Sequence, residues 1–349
     1  MYQNYKIVVN TAAGRRRYMQ YLVPLILSND IVDRYDIWVN TYNGADIAFF
    51  KKLAEKFPKV NLVWQPDGIV DGIKSINAFY RDCTDEDTIY FKIDDDLLWM
   101  EPNGINKMVE FRVKHPEYFL VSPLVINNSL STYLLQMRDK IQLDKYYSSC
   151  ANHPVLWESA YFASQLHTWF MANFLSKSKW EELHVGIQPM AMTRFSINAV
   201  LWFGKDLKSI NGIVPGDDEE FLSSKYPTMI AKANCLNGNV IAAHFAFYPQ
   251  RAYLDSQNIL ERYGKIVSDL YKGSNVEYAY NTVQDILLNI DSHAAELEPI
   301  CDPYVKKSSL GQPQGNSSKL KIYIDIIKKK IAHALLGANK ENKDFPYIK

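Results

Sequence analysis

Residues 6–96 alternate without a break between short apolar runs and stretches with apolar residues at helical spacing. Lys6–Asn10 reads as a buried strand. Arg15–Leu27 reads as a helix with Tyr18, Tyr21, Leu22, Leu25 and Ile26 on one face. Asp36–Tyr42 is a second strand, closed by the turn pair Asn43-Gly44. Asp46–Phe57 is helical, Val60–Trp64 a third strand, Ile73–Tyr80 a short helix and Thr88–Ile93 a fourth strand. Strands separated by helices must cross over to pair side by side. This order therefore predicts an α/β fold: a mostly parallel, twisted sheet with helices on both faces.

The remainder is less regular. Tyr118–Ile126, Phe195–Phe203 and Val240–Phe247 read as further strands, Asp217–Lys225 as a helix start and Leu254–Tyr271 as a helix packing back on the sheet. Residues 129–185 are aromatic and mixed and yield no clear order. The predicted organisation is one main domain over residues 1–305, with a first half (1–100), a second half (101–271) and a helical extension (272–305).

With 349 residues, 47% hydrophobic and 22% charged, the chain has ample material for a core. Its net charge of zero gives no nucleic-acid signature. Cys83, Cys150, Cys235 and Cys301 are too dispersed for a zinc or disulfide framework. The first residues lack a signal-peptide h-region, and no run approaches the ~18 apolar residues of a membrane span. The expected location is the cytoplasm, with peripheral placement on the inner face of the membrane.

That last element comes from the tail. Ser308–Ser318 has linker composition, giving a linker over 306–319. Beyond it, Leu320, Ile324, Ile327, Ile331 and Leu335 form an apolar stripe, which predicts a C-terminal amphipathic helix and tail over 320–349. Residues 306–349 carry ten lysines against Asp325, Glu341 and Asp344, a net of +7. Such a helix suits an anionic membrane surface. It equally suits docking on protein through the stripe.

The fourth strand ends in Asp94-Asp95-Asp96. Three adjacent carboxylates repel one another, and a strand end that gathers them suits a divalent cation such as Mn2+ or Mg2+ together with a phosphorylated substrate. A solvated acidic turn would have the same three letters. Ligands of doubly wound sheets bind beyond the carboxyl ends of the strands. Asn10 and Thr11, Asn40 and Thr41, and the triplet all fall at such predicted ends.

The run Lys92-Ile93-Asp94-Asp95-Asp96 resembles the D-x-D element of GT-A type glycosyltransferases, a likeness covering roughly residues 5–250. The resemblance implies a nucleotide-sugar donor (UDP- or GDP-linked), a glycan or lipid-linked glycan acceptor and Mn2+ or Mg2+. It places Asp94 toward ribose and metal-bound water and Asp96 on the metal, and leaves Asp95 ambiguous. Gly216-Asp217-Asp218-Glu219-Glu220 resembles the acceptor-side acidic motif of inverting members. That alignment makes Asp218 the general base, with Glu219 next in line. His244, at a predicted strand end, resembles the late metal-ligating histidine, although a lone histidine among apolar residues also suits a core. Arg15 is placed to meet a diphosphate, and Lys74 and Asn77 to contact the nucleotide. The usual base-reading aspartate after the second strand is absent here; Asn40, Thr41 and Asn43 occupy that place. The competing readings are a haloacid-dehalogenase-like Mg2+ phosphohydrolase, whose nucleophile strand normally comes first, and a non-catalytic nucleotide- or carbohydrate-binding module.

Overall fold

The computed structural model describes residues 1–190, 193–307 and 346–349. Its strands are β1 (Lys6–Ala13), β2 (Arg34–Val39), β3 (Val60–Val63), β4 (Ile69–Val70), β5 (Thr88–Ile93), β6 (Leu97–Met100), β7 (Val121–Ile126), β8 (Ile187–Met190), β9 (Ala199–Phe203), β10 (Asn234–His244) and β11 (Lys306–Lys307). Its α-helices are α1 (Arg16–Leu27), α2 (Gly44–Lys56), α3 (Gly72–Phe79), α4 (Gly104–Lys114), α5 (Ser129–Met137), α6 (Ala160–Phe170), α7 (Gly204–Lys208), α8 (Asp218–Glu220), α9 (Tyr226–Met229), α10 (Arg251–Ser256), α11 (Ile259–Tyr271), α12 (Glu277–Ser292) and α13 (Ala294–Leu297).

Nine strands form one sheet in the order β3-β2-β1-β5-β9-β7-β10-β6, with β8 also on β10. Strands β1, β2, β3, β5, β7 and β10 run one way, and β6, β8 and β9 run the other. The predicted α/β architecture, a mostly parallel sheet flanked by helices, is the observed one. Alternate residues of β1 enter different cores: Ile7 and Val9 join one apolar cluster, Val8 the other. Both sheet faces are thus buried, as period-two side chains in a covered sheet require. In α12, Ala279, Val283, Leu287 and Ile290 recur at helical spacing and pack into the same cluster as Ile7 and Val9.

The boundaries move in instructive ways. β1 runs three residues past Asn10, because Asn10 and Thr11 are buried within the strand and do not end it. β2 stops at Val39, so Asn40 and Thr41 follow the strand. The apolar run after the triplet, Leu97–Met100, is itself a strand, paired antiparallel to β10. β10 begins at Asn234, six residues ahead of the predicted start. A register shift between Asn237 and Ile241 interrupts it, so its polar first half does not read as part of one strand. Asn258, in left-handed backbone (φ 52°), splits the predicted Leu254–Tyr271 helix into α10 and α11. The unordered stretch after Ser129 holds α5 and α6.

The predicted linker and the amphipathic stripe from Leu320 to Leu335 lie outside the described residues. The chain's last residues return to the body. Asp144 N donates to Tyr347 O at 2.8 Å, Lys349 N donates to Gln142 O at 3.0 Å, and the Tyr347 ring meets Phe162 edge-on at 5.6 Å. Among the described residues no helix is long and apolar enough to cross a membrane.

Candidate active site

The strand ends open on a cavity of about 700 Å³. Ala12, Gly14 and Arg15 reach it from the end of β1, Asn40 from β2, Ile73 and Ile76 from α3, and the triplet from β5. His244 comes from the end of β10, Asn198 from the approach to β9 and Glu219 from α8. Antiparallel β9 belongs here because its N-terminal end lies beside the C-terminal end of β5: Ile93 pairs with Ala199.

The three aspartates have different partners. Asp95 is buried and turned toward β1, where Gly14 N (3.0 Å) and Arg15 Nε (3.1 Å) donate to its Oδ2 and Arg15 Nη2 pairs with Oδ1. A Cβ at Gly14 would stand 3.1 Å from Asn40 O, so the bare backbone matters there. Asp96 Oδ2 faces Arg15 Nη1 at 3.0 Å and Arg251 Nη2 at 3.4 Å, and its Oδ1 faces His244 Nε2 at 3.4 Å. Burial alone would raise the Asp96 pKa, yet the Arg15 and Arg251 guanidinium groups hold it well below the usual carboxylate range. Burial likewise opposes the Arg15 charge, and Asp95 and Asp96 more than restore it. Asp94 is the most exposed of the three. It accepts from Lys92 Nζ at 2.5 Å and from Asn198 Nδ2 at 3.2 Å. Lys92, buried in β5, also donates to Ile197 O at 3.1 Å.

The tautomer of His244 follows from its contacts. Its Nδ1 lies 3.3 Å from Asn127 O. A carbonyl oxygen only accepts, so Nδ1 carries the hydrogen and Nε2 faces Asp96 and the cavity.

The acidic motif begins at Gly216, whose φ of 69° favours glycine. Asp217 caps α8 by accepting from Glu220 N at 3.1 Å. Asp218 accepts from the buried Tyr80 hydroxyl at 2.9 Å and from Glu219 N at 3.0 Å, and it does not line the cavity. Glu219 does line it, bonded to Arg194 Nε at 2.9 Å. Burial raises the pKa of both acids, and the Arg194 pair lowers that of Glu219 in part.

Several predicted contacts stand elsewhere. Asn10 is interior, its amide on Cys83 Sγ at 3.6 Å, and Thr11 accepts from the Tyr35 hydroxyl at 3.1 Å. Both are consequences of the longer β1. Thr41 Oγ1 accepts from Asn43 N at 3.1 Å. Lys74 is exposed and pairs with Asp71 at 3.4 Å. Asn77 donates to Gly216 O at 2.7 Å, tying α3 to the acidic motif rather than facing the cavity. Sequence reasoning missed Gly14, Lys92, Arg194 and Asn198 as site residues. A lysine inside an apolar strand, two residues before a carboxylate, was a usable signal for Lys92; the other three carried none.

Among the described residues no three His, Cys, Asp or Glu side chains converge on one metal position. Mg2+ and Mn2+ do not need such a cage; they are commonly held by one or two carboxylates and complete their shell with water and substrate phosphate. Asp96 with His244 Nε2, and Asp94 in the same cavity, fit that donor set. Three polar atoms of cavity-lining residues are buried without a hydrogen-bond partner: Asn40 Oδ1, Arg251 Nε and Arg15 Nη1, the last ion-paired with Asp96. They would suit a polar ligand.

No family model matches the chain, and no curated protein matches it. Among solved structures, the mannosyltransferase PcManGT from Pyrobaculum calidifontis in complex with GDP-Man and Mn2+ aligns over 84% of this chain and 78% of its own, at 14% identity and TM-score 0.43. A 4-diphosphocytidyl-2C-methyl-D-erythritol synthase from Anaerococcus prevotii aligns over 75% and 96%, at 9% identity and TM-score 0.39. A mycobacterial protein aligns over 77% and 74%, at 13% identity and TM-score 0.39. Likeness of this degree establishes neither family nor activity.

Proposed function

We propose that this protein is a metal-dependent glycosyltransferase of GT-A type that moves a sugar from a nucleotide-diphosphate donor to a glycan or lipid-linked glycan acceptor, with inversion. The observation that carries the reading is one cavity at the strand ends holding Asp94, Asp96, His244, Arg15, Arg251 and Glu219 together. The nucleoside lies along Ala12, Asn40, Ile73 and Ile76. Asn40 Oδ1 offers it an acceptor, and Asp94 faces the ribose. Asp96 and His244 Nε2 would hold the cation, which would supply Lewis-acid stabilisation to a diphosphate leaving group. Arg15 and Arg251 present guanidinium forks, whose planar geometry matches phosphate oxygens.

Glu219 acts as the general base, removing the proton of the attacking hydroxyl. It is preferred to Asp218 because Asp218 is committed to Tyr80 and the α8 backbone. A burial-raised carboxylate pKa suits a base. The phosphohydrolase alternative gains no support, since β1 ends in Ala12-Ala13, followed by Gly14, with no carboxylate to serve as nucleophile.

Incubation with Mn2+ and a panel of UDP- and GDP-sugars, following release of free nucleoside diphosphate, tests the reading. Slow, metal-dependent hydrolysis of one donor is expected. No turnover of any donor, with or without sugar acceptors, would overturn it.

A further inference from the structure

Glu219 does not stand alone, and the segment that holds it also touches the donor side. Arg194 spreads its guanidinium over two acids, Nε to Glu219 Oε1 at 2.9 Å and Nη2 to Asp217 Oδ2 at 3.0 Å. Asp217 is itself fixed, because its other oxygen caps α8. Arg194 therefore links the Glu219 side chain, through Oε1, to an anchored aspartate. Four residues on, the same segment reaches the triplet. Asn198 Nδ2 donates to Asp94 at 3.2 Å, and Ile197 O accepts from Lys92 at 3.1 Å.

We propose that Arg194 is a positioning residue, which orients Glu219 toward the cavity, while its segment fixes that acid relative to Asp94. The proposal rests on Glu219 being the base. A fork is needed because only a planar, two-armed donor holds two carboxylates in a set relation; a lysine supplies the charge without the geometry. The charged and titratable groups facing Glu219 are Arg194 from this segment, Lys92 from β5, and Asp217 and Asp218 from its own turn. The Ser196 hydroxyl is its uncharged neighbour. Arg194 and Lys92 favour the carboxylate, whereas the aspartates oppose it.

The test uses the full chain with Mn2+ and whichever donor proves active. Arg194→Met should lower kcat about 10- to 100-fold with donor KM changed less than about twofold, since orientation is lost and not donor affinity. The acid limb of its kcat/KM profile should move up by about one pH unit, because the neighbouring positive charge is gone. Arg194→Lys should restore the acid limb but not kcat. An unshifted acid limb in Arg194→Met, with kcat within about twofold of wild type, overturns the proposal. Full recovery of kcat in Arg194→Lys overturns the orienting role. If Arg194→Met fails to fold, Arg194→Lys and Asp217→Asn carry the kcat measurement, and wild-type kcat in both is the contrary result. Glu219→Gln runs alongside. If it keeps transfer, the parent reading fails and this one with it; if it loses transfer while Arg194→Met is unaffected, only this one fails.

Discussion

Asp96 Oδ1 and His244 Nε2 stand 3.4 Å apart although 148 positions separate them in the chain. The sheet brings them together. Leu97, which opens β6, pairs with His244, the last residue of β10, and Phe245 N donates to Asp96 O at 2.8 Å. If this pair holds the cation, Asp96→Ala should abolish metal-dependent nucleotide binding. His244→Ala should weaken Mn2+ affinity by at least about 10- to 100-fold, the scale already reached by changing residues that only support metal ligands. Titration of Mn2+ in the presence of nucleotide checks both, and unchanged affinity in either variant contradicts the assignment.

Asp95 predicts differently. Its oxygens belong to Gly14 N and Arg15, so Asp95→Ala removes a fold contact first. Stability should fall by on the order of 3 kcal/mol, the scale for taking one partner from a buried ion pair. Urea unfolding measures it. A variant of wild-type stability that loses metal binding instead would make Asp95 a ligand.

The base assignment separates two adjacent acids. Glu219→Gln should leave donor binding intact and cut transfer strongly, because a base acts in the transition state. Asp218→Asn should lose less than about tenfold, about 1.4 kcal/mol in barrier. The opposite ranking would restore Asp218 as the base.

His167 gives a pH dependence of stability. It is fully buried, donates through Nε2 to Phe245 O at 2.8 Å and accepts the Tyr263 hydroxyl at 2.9 Å, and burial lowers its pKa to about 3. An unfolded histidine takes up a proton near pH 6.5, whereas the folded one resists until about pH 3. Its contribution is therefore complete above pH 6.5 and is lost as pH falls through that window, by about 1.4 kcal/mol per pH unit. Urea midpoints for wild type and His167→Gln at neutral and mildly acid pH should converge as pH drops. Parallel slopes would mean that His167 is not the cause.

The tail carries a proposal of its own: we propose that residues 320–335 anchor the protein on anionic lipid. The full chain should co-sediment with phosphatidylserine vesicles at low salt and release at high salt, since each lysine near such a surface is worth about 1 kcal/mol. Replacing Lys328, Lys329 and Lys330 with Glu should abolish this while keeping Tyr347 and Ile348 on the body. A truncation after Val305 should also lose stability, because it removes those contacts. A full chain that ignores the vesicles contradicts the anchor.

How much of this was legible in the chain follows from where the signals are local. The Asp triplet sits at the end of an apolar run, so its place at a strand end could be read directly; His244 stands inside the apolar run Val240–Phe247, and only the pairing with β6 shows that β10 ends there. Asn10 and Thr11 misled because polar residues inside β1 look like its end. Leu97–Met100 was hidden because three carboxylates look like a terminus, while the strand there is defined only by distant β10. The helices after Ser129 are buried on most sides, which blurs their period. Arg194 and Asn198 act through tertiary contacts that spacing does not encode.

Calorimetry with UDP and GDP, in Mn2+ and in EDTA, measures whether a metal assists recognition of a nucleoside diphosphate at the triplet. One of the two nucleotides should bind in Mn2+, and its affinity should fall at least about tenfold in EDTA, about 1.4 kcal/mol. Equal affinity in both conditions, or no binding of either nucleotide, would contradict the account.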